Sequence, residues 1–426
     1  MKLVRSIVSI VLLAGLATAC SVNPVTGEQE LSLMSPAQEV AIGAQQYGPS
    51  QQSQGGRYVV DPDLNVYINR VGQKLAAVSD RPDLPYEFVV LNNGVPNAWA
   101  LPGGKIAINR GLLVLLEDEA QLAAVLGHEI VHAAARHSAQ QQTRGTLLNV
   151  GLVAAGAALS SQGEQTAGLA MGALGVGAQA WQAQYGQGQE LESDKYGIKY
   201  MVAAGYDPQG AVELQQAFVK LSEGRQSGWL ESFFASHPPS QTRVDRNREM
   251  VAQYTGGDRN RAAYQRAIAQ LKEDAGAYDN YQQALQAAGD DRARAYQLLD
   301  KAVKQQPNET LFWELKGRLH AADEDFSQSA AALDRAVAAN PEFFRPYIYR
   351  ALAFDQLKKT DNAARDLEKS MALLPTQIAA YYLGEYALAD GQQQQALEYF
   401  QMAAQGGGEL GQKAQSRLQQ MQQATQ

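Results

Sequence analysis

A regular spacing of 34 residues constrains the fold of the C-terminal part of this chain more than any other sequence feature. Pro307, Pro341 and Pro375 follow one another at that interval. A small residue stands five positions before each proline, at Ala302, Ala336 and Ser370. A fixed period of this length indicates a supersecondary unit that buries its apolar face only by stacking on its neighbours. From about residue 262 onward, the chain is therefore predicted to be an array of alternating helices.

The period and the residues inside it resemble tetratricopeptide repeats, which are paired helices stacked into a superhelix. Trp313 and Gly317 stand where that repeat expects tryptophan and glycine, and Tyr347 and Tyr381 supply the aromatic residue of later units. The resemblance implies about four repeats in an all-α domain over residues 262–426. Because such repeats bind peptides or proteins, we expect a docking role, with a purely structural role as the alternative.

The N-terminus has the pattern of a secretory signal. Lys2 and Arg5 precede an apolar run, Ile7 to Ala17, that is too short for a comfortable membrane span. The sequence therefore predicts a signal peptide over residues 1–19.

Cys20 is the predicted lipidation site. It follows Leu16-Ala17-Thr18-Ala19, which resembles a bacterial lipobox, and it is the only cysteine of the chain. We predict an irregular, lipidated tether over residues 20–34 and a location in the periplasm of a Gram-negative bacterium. By analogy with bacterial sorting rules, Ser21 favours anchoring to the outer membrane. An ordinary cleaved signal with an unmodified cysteine is the alternative.

The charge of the chain argues against a nucleic-acid partner. The formal net charge is −8 at pH 7, and the lysines and arginines form no cluster. Phosphate binding needs a concentrated basic face, so we exclude nucleic acid as a ligand.

Residues 35–258 are predicted to form a mixed α and β domain. Ser35-Pro36-Ala37-Gln38 has the serine, proline and glutamine of a helix start, and a second, amphipathic helix begins at Asp63. The next predicted elements are a strand over Tyr86–Leu91, a strand, turn and strand over Ala98–Ile108, and a helix running unbroken from Glu119 past Arg136.

Residues 144–189 are rich in glycine and alanine, with apolar stretches over Leu147–Leu159 and Ala167–Ala180. Neither stretch reaches the ~20 residues that a bilayer span requires. We expect tightly packed core helices or a mobile apolar loop. A lid or membrane-touching segment beside the active site is the alternative.

His128-Glu129-Ile130-Val131-His132 is an H-E-x-x-H motif in a strongly helix-forming stretch. Residues four apart on a helix are rotated by ~400°, so both imidazoles project from one face and can hold one Zn²⁺. Glu129 then lies beside the metal without binding it, where it can take a proton from the attacking water. The motif predicts one zinc ion per chain and hydrolytic chemistry.

A catalytic zinc needs a third protein ligand, and the best candidates lie on a second helix. Glu190 and Asp194 are four residues apart and share a face, so one can bind the metal while the other orients a ligand histidine. Glu192 points elsewhere, and we expect it to be solvated. Without the upstream motif, this acidic string would indicate only a solvated helix face.

These motifs together resemble the HtpX-like and CAAX-prenyl-protease-like family of zinc metallopeptidases. Pro96-Asn97-Ala98-Trp99-Ala100-Leu101-Pro102-Gly103-Gly104 adds to the resemblance. Two further strings match a secreted lipoprotein branch, namely Asn23-Pro24-Val25-Thr26-Gly27 and Ser236-His237-Pro238-Pro239 with Arg243 after it. The resemblance covers roughly residues 21–255.

The family resemblance implies the roles of individual residues. His128, His132 and Glu190 would be the zinc ligands, Glu129 the general base and Asp194 the supporting acid. Ser193 departs from the alanine that is usual in the family, which is a conservative change. The whole chain is then α+β and mostly helical, with a zincin-type metallopeptidase domain containing a small β-hairpin or sheet, followed by an all-α tetratricopeptide-repeat superhelix.

Two further histidines have open roles. His237 either approaches the zinc, where it would stabilise the oxyanion or occupy the water position and hold the enzyme latent, or is a loop histidine. His137 lies five residues after His132 and is expected to face away from the metal in a structural role.

The predicted hairpin offers a way to hold substrate. A strand edge beside the zinc would let an extended peptide add as a further strand through backbone hydrogen bonds. The residues predicted to form this substrate-binding edge are Ala98, Trp99, Ala100 and Leu101.

The favoured function is therefore a zinc-dependent endopeptidase. The resemblance implies misfolded or stalled envelope proteins as substrates, with the repeats recruiting them or the outer-membrane assembly machinery. A non-catalytic periplasmic chaperone or scaffold lipoprotein acting through its repeats is the first alternative, and the intact Glu129 argues against it. Processing of lipidated or prenylated peptides is the second, and the lack of full-length apolar spans argues against it.

Overall fold

The computed structural model describes residues 20–147, 185–223 and 237–424. The described residues divide into two compact units, with the first unit ending at Tyr47 and resuming over Asp63–Ile268, and the second comprising Gly48–Pro62 and the residues from Ala269 onward. The predicted signal peptide, residues 1–19, lies outside the described residues, as do residues 148–184 of the glycine- and alanine-rich segment 144–189.

The described elements up to residue 268 are short strands, all of them before residue 110, and helices. In chain order they are β1 (Cys20–Val22), β2 (Gln29–Leu31), α1 (Pro36–Ser53), α2 (Pro62–Ala76), β3 (Glu87–Leu91), β4 (Ala98–Leu101), β5 (Lys105–Asn109), α3 (Arg110–Leu113), α4 (Glu119–Ala134), α5 (Gln187–Ala203), α6 (Gln209–Glu223), α7 (Gln241–Val251) and α8 (Arg261–Ala267). This pattern confirms the predicted mostly helical α+β fold.

A three-stranded sheet has the order β3-β5-β4. β3 pairs with β5 in parallel, and β4 pairs with β5 in antiparallel register, with Ala98 opposite Ile108 and Leu101 opposite Lys105. The turn between β4 and β5 uses Gly103 and Gly104, whose φ angles of 75° and 83° favour glycine. The predicted hairpin is thus confirmed, and β4 is an edge strand of this sheet.

The start of α1 follows the predicted capping pattern. The Gln38 backbone N–H donates to Ser35 Oγ at 3.3 Å, and the Ser35 backbone N–H donates to Gln38 Oε1 at 2.8 Å. The two bonds satisfy donors that a helix start would otherwise leave unpaired.

The helix carrying the H-E-x-x-H motif is broken, which contradicts the prediction of an unbroken helix past Arg136. α4 ends at Ala134, and a new helix covers residues 137–147. Arg136 between them has a φ of 63°, which lies outside the helical region. Its buried guanidinium donates to Glu39, to Ser21 Oγ at 3.0 Å and to the Met34 carbonyl. These tertiary bonds stabilise a backbone conformation that local helix propensity disfavours.

The segment expected to be an irregular tether contains a β-hairpin. β1 and β2 pair antiparallel, with Ser21 opposite Glu30. The Gly27 φ of 76° and a hydrogen bond from the Gly27 N–H to the Asn23 carbonyl at 2.8 Å close the turn between them. We refer to residues 20–34 as the N-terminal hairpin.

The second unit consists of helix pairs. Its helices are α9 (Ala269–Glu273), α10 (Ala275–Ala287), α11 (Arg292–Gln305), α12 (Thr310–Ala322), α13 (Phe326–Ala339), α14 (Phe344–Gln356), α15 (Thr360–Leu373), α16 (Gln377–Ala389), α17 (Gln393–Ala404) and α18 (Gly408–Ala424). The small residues that define the period, Ala302, Ala336 and Ser370, are fully buried. The repeat prediction is confirmed, because the pairs recur at the interval that the prolines indicate.

Glycine allows the two helices of a repeat to approach closely. A Cβ atom on Gly317 of α12 would lie 2.5 Å from Leu333 Cγ of α13. A Cβ atom on Gly384 of α16 would lie 2.8 Å from Phe400 of α17. The same repeat position therefore contacts the partner helix in two units, which are separated by the pair α14 and α15.

The division into units differs from the predicted boundaries in two segments. Residues 259–268 group with the first unit, where Arg259 pairs with Asp118 at 2.6 Å and the Tyr264 hydroxyl donates to the Leu113 carbonyl at 2.6 Å. Residues 48–62 group with the repeats, where Gln52 Nε2 donates to the Glu342 carbonyl at 2.6 Å.

None of the helices in the described ranges combines the length and the apolar character that crossing a bilayer would need.

Replacing Gly317 with valine should lower the free energy of unfolding of the repeat unit by about 1–3 kcal/mol, because the added side chain overlaps Leu333. Urea denaturation followed by circular dichroism measures the change. Gly289→Val is the matched control, since a Cβ atom there meets nothing within 4 Å, and it should change stability by less than about 0.5 kcal/mol. Equal losses in the two variants would contradict the packing role of Gly317.

Candidate active site

Three of the predicted residues meet at the crossing of α4 and α5. His128 and His132 lie one turn apart on α4, and their Nε2 atoms are 3.0 Å apart. Glu190 of α5 faces both of them, with Oε1 at 3.3 Å from His132 Nε2 and Oε2 at 3.5 Å from His128 Nε2. All three side chains are buried. Two imidazole nitrogens and a carboxylate turned toward one point form the donor set of a zinc site.

Two glycines allow the helices to come this close. A Cβ atom on Gly127 would lie 3.2 Å from the Gly197 carbonyl oxygen, and one on Gly197 would lie 3.1 Å from the His128 backbone nitrogen. Both distances are tighter than ordinary van der Waals contact. The absence of side chains at the crossing thus sets the separation between the histidine pair and Glu190.

His237 joins the same group. Its Nδ1 lies 3.0 Å from Glu190 Oε1 and 3.4 Å from His128 Nε2, and its Nε2 lies 3.6 Å from Glu129 Oε1. The candidate ligand atoms of His128, His132, Glu190 and His237 lie within 4.8 Å of one another. Of the two interpretations from sequence, the structure supports the approach of His237 to the metal position.

Asp194 orients His128 from behind. Its Oδ1 lies 2.9 Å from His128 Nδ1, which leaves His128 Nε2 directed at Glu190. Asp194 also accepts two hydrogen bonds from Arg243, from Nε and from Nη2, each at 2.7 Å. Burial would raise the pKa of Asp194, but Arg243 and His128 hold it below its ordinary value. Asp194 is therefore an anion at neutral pH.

Arg243 contacts two of the acidic residues of α5, Glu190 and Asp194. In addition to its bonds with Asp194, its Nη1 lies 2.8 Å from Glu190 Oε2. Arg243 is only 3% exposed, so its charge and those of the two carboxylates interact with little screening by water. Burial would raise the pKa of Glu190, but His237 and His128 outweigh that effect and lower it.

Glu129 lies next to the metal-binding group without belonging to it. It is 2% exposed, and its Oε2 has no hydrogen-bond partner among the described residues. Burial raises the pKa of this carboxyl, against the opposing effects of His237 and His128. A buried carboxylate with an unused acceptor is suited to receive a proton.

His137 and Glu192 do not behave as expected. His137 was expected to face away from the metal, but its Nδ1 lies 2.8 Å from His132 Nδ1. Glu192 was expected to be solvated, but it is half-buried, with Oε1 3.4 Å from His137 Nε2 and 3.0 Å from Asn23 Nδ2. The break in the helix at Arg136 accounts for His137, because it turns the following residue back toward α4.

Sequence reasoning also missed Tyr185, whose ring stacks on His132 at a centroid distance of 3.6 Å. No motif marks this residue. Arg243 appeared only as the end of a family string, and its contact with α5 had no sequence signal.

The predicted substrate edge lies beside this group. Ala98 of β4 lines a pocket that also contains His128, Glu129 and His237. Trp99 packs edge-on against Tyr47 at a centroid distance of 6.2 Å. The side chains of Ala98, Ala100 and Leu101 are buried, so it is the backbone of the edge strand that is suited to pairing.

Residues 62–251 match the model of Peptidase family M48. This segment is a Peptidase family M48 domain. Zinc is the metal of this family, and the two histidines and Glu190 fit it as ligands. The match confirms the resemblance to zinc metallopeptidases that the sequence motifs indicated.

Individual proteins that are similar to this chain are also named as proteases. A beta-barrel assembly-enhancing protease of Yersinia pestis is 32% identical over 231 residues, which are 53% of this chain and 44% of that protein. The mitochondrial metalloendopeptidase OMA1 of Schizosaccharomyces pombe is 35% identical over 188 residues, which are 44% of this chain and 52% of that protein. The chain thus spans about half the length of these relatives.

Among solved structures, a tetratricopeptide repeat protein from Parabacteroides merdae aligns with 64% of this chain and 98% of its own, at 14% identity and a TM-score of 0.30. At this score the likeness carries no weight, and the assignment of the repeats rests on the helix pairs themselves.

Replacing Arg243 with methionine should lower the free energy of unfolding by about 3–5 kcal/mol, because it leaves buried carboxylates without their counter-ion. Arg246→Met, on the same helix, is the control, since Arg246 and its partner Glu249 are 68% and 70% exposed and should contribute less than about 1 kcal/mol. Urea titrations of both variants measure the difference. If the two variants lose the same stability, Arg243 does not have the structural role assigned to it.

Proposed function

We propose that this chain is a zinc-dependent endopeptidase that degrades misfolded or stalled proteins of the cell envelope. The observation that carries the proposal is the placement of Glu129, a buried carboxylate with an unused acceptor, beside the group formed by His128, His132 and Glu190. A purely structural zinc site would not require a proton acceptor at that position.

When bound by His128, His132 and Glu190, zinc would supply a Lewis acid that polarises the scissile carbonyl and activates water. Glu129 takes the proton from the attacking water and later delivers it to the leaving amine. Asp194 keeps the proton of His128 on Nδ1, so that Nε2 remains free to bind.

His237 has two candidate roles. Its Nε2 is 3.6 Å from Glu129, close enough for the ring to donate to an oxyanion that forms beside the base. Its Nδ1 contacts with Glu190 and His128 equally allow it to occupy the water position and hold the enzyme latent.

An extended substrate strand would pair with the edge of β4, formed by Ala98, Trp99, Ala100 and Leu101. Backbone pairing ignores sequence, which suits an enzyme acting on unfolded segments. The name of the Yersinia pestis relative, a beta-barrel assembly-enhancing protease, supports outer-membrane proteins as the substrates. The repeats would recruit these clients or the assembly machinery, and an acylated Cys20 would hold the enzyme to the outer membrane on its periplasmic side.

The first test is the metal content of the purified protein together with cleavage of casein by wild type, Glu129→Gln and His237→Ala. We expect about one zinc per chain in all three and loss of cleavage by about 10²-fold or more in Glu129→Gln. Higher activity in His237→Ala than in wild type would assign the latent role to His237, and lower activity the oxyanion role. Zinc-free protein, or cleavage that does not depend on Glu129, would reject the peptidase and favour the chaperone or scaffold alternative.

A largely apolar pocket beside Glu129 supports selection of one substrate side chain. Its apolar lining includes Leu112, Val125, Ile198, Met201, Leu214 and Phe218. Two of its polar atoms, Gln215 Oε1 and Ser193 Oγ, are buried without hydrogen-bond partners among the described residues. Two unused acceptors in an apolar wall favour a side chain with an apolar body and a donor at its tip, such as tyrosine.

Peptides that carry a mapped casein cleavage site, with tyrosine or phenylalanine next to the scissile bond, test this selection. Wild type should cleave the tyrosine peptide with a kcat/KM about 3- to 10-fold higher, the effect of one hydrogen bond to a buried acceptor. Gln215→Leu should abolish or reverse the preference, whereas Gln216→Leu, one position along α6 and outside the pocket, should keep it. The same tyrosine-to-phenylalanine ratio in wild type and Gln215→Leu would count against the pocket.

A further inference from the structure

We propose that the N-terminal hairpin helps to orient the zinc ligand His132. Asn23 of the hairpin, Glu192 and His137 form a line of contacts that ends at His132. The inference rests on the proposed role of His132 as a ligand. Asn23, Glu192 and His137 are positioning residues, since none of them reaches the metal position itself.

Three successive side-chain contacts connect the hairpin to the ligand. Asn23 Nδ2 donates to Glu192 Oε1 at 3.0 Å. The same Glu192 oxygen is 3.4 Å from His137 Nε2, and His137 Nδ1 is 2.8 Å from His132 Nδ1. His132 and His137 are at most 1% exposed, so water does not compete for these positions.

Metal binding fixes which ring nitrogens carry the protons in this line. His132 can bind zinc through Nε2 only if its proton is on Nδ1, which must then donate to His137 Nδ1. His137 Nδ1 is therefore the acceptor, and the His137 proton is on Nε2, the ring nitrogen that lies 3.4 Å from Glu192 Oε1. Glu192, as a carboxylate, accepts from Asn23, and its Oε1 lies 3.4 Å from His137 Nε2, an electrostatic contact outside hydrogen-bond geometry.

The arrangement gives each ligand histidine a carboxylate behind it. Asp194 contacts His128 directly, and Glu192 reaches His132 through the His137 ring. Such partners fix the tautomer and the ring orientation of the ligand and increase its basicity.

Asn23 is held in place by its own turn. Its Oδ1 accepts from the backbone N–H groups of Val25 at 2.9 Å and Thr26 at 3.3 Å, which leaves Nδ2 to donate to Glu192 and to Glu30. Gly27, with its positive φ, closes the turn. The catalytic chemistry does not otherwise use the string Asn23-Pro24-Val25-Thr26-Gly27. These contacts give the string a physical role, which is to hold the Asn23 side chain against Glu192.

The break at Arg136 brings His137 into this line. On an unbroken helix, a residue five positions after His132 would be rotated by ~500°, or about 140° away from it. The left-handed conformation of Arg136 removes that rotation, and its guanidinium bonds to Ser21 and Met34 tie the break to the N-terminal hairpin. The hairpin thus influences the position of His137 in two ways. Asn23 holds Glu192 beside the His137 ring, and Ser21 and Met34 hold the backbone break at Arg136.

The test is the zinc affinity of the full chain, measured by competition with a chelator of known affinity, for wild type, His137→Phe and Asn23→Ala. His137→Phe keeps the ring and removes the acceptor, and it should weaken zinc binding by about 10- to 100-fold. Asn23→Ala should weaken it by a smaller factor. His320→Phe, the same change at a histidine of the repeat unit, is the matched control and should leave the affinity unchanged.

The double variant distinguishes a connected line from two separate effects. In the His137→Phe background, Asn23→Ala should cause no further loss of zinc affinity, because the line is already interrupted. Thermal unfolding after zinc removal provides the second measurement. The inference is overturned if His137→Phe lowers the midpoint of thermal unfolding of the zinc-free protein but binds zinc as tightly as wild type. It is also overturned if the losses of zinc affinity caused by His137→Phe and Asn23→Ala are additive in the double variant. A wild-type chain that binds no zinc would instead reject the proposed function itself.

Discussion

The active site depends on the close crossing of α4 and α5 at Gly127 and Gly197. Zinc–ligand bonds are about 2 Å long and tolerate errors of only about 0.2 Å. Gly127 directly precedes His128, and a Cβ atom on either glycine would meet the backbone of the other helix at 3.2 Å or less. Side chains at this crossing would separate the helices by more than the metal site tolerates, so Glu190 would no longer share a metal with the histidines.

The second constraint is charge. Three buried carboxylates, Glu129, Glu190 and Asp194, lie within one small volume, and Arg243 is the guanidinium that faces two of them. A divalent zinc ion together with Arg243 would balance three negative charges when the histidines are neutral. This balance explains why Arg243 is buried and why it bonds to α5 rather than to solvent. It also implies that Glu129 can be ionised in the loaded site although burial raises its pKa.

The sequence predicted those parts of the site that follow from helical spacing. His128 and His132, and likewise Glu190 and Asp194, share a face because they are four residues apart on helices without a break between them. The hairpin of β4 and β5 was predictable from its glycine turn and alternating residues. His137 was not, because its direction depends on a left-handed Arg136 that only tertiary bonds to the N-terminal hairpin stabilise. The hairpin itself escaped prediction because its strands, Cys20–Val22 and Gln29–Leu31, are too short to show a period of two.

The N-terminal hairpin changes how a lipid anchor at Cys20 would act. A free tether over residues 20–34 could extend for roughly 50 Å and let the peptidase unit move well away from the membrane. Pairing starts instead at Cys20 itself, opposite Leu31, and Ser21 is already bonded to Arg136 beside the active-site helix. An acyl chain on Cys20 would therefore hold the peptidase unit directly at the bilayer surface. An extended peptide that pairs with the edge of β4 would then be bound close to the membrane.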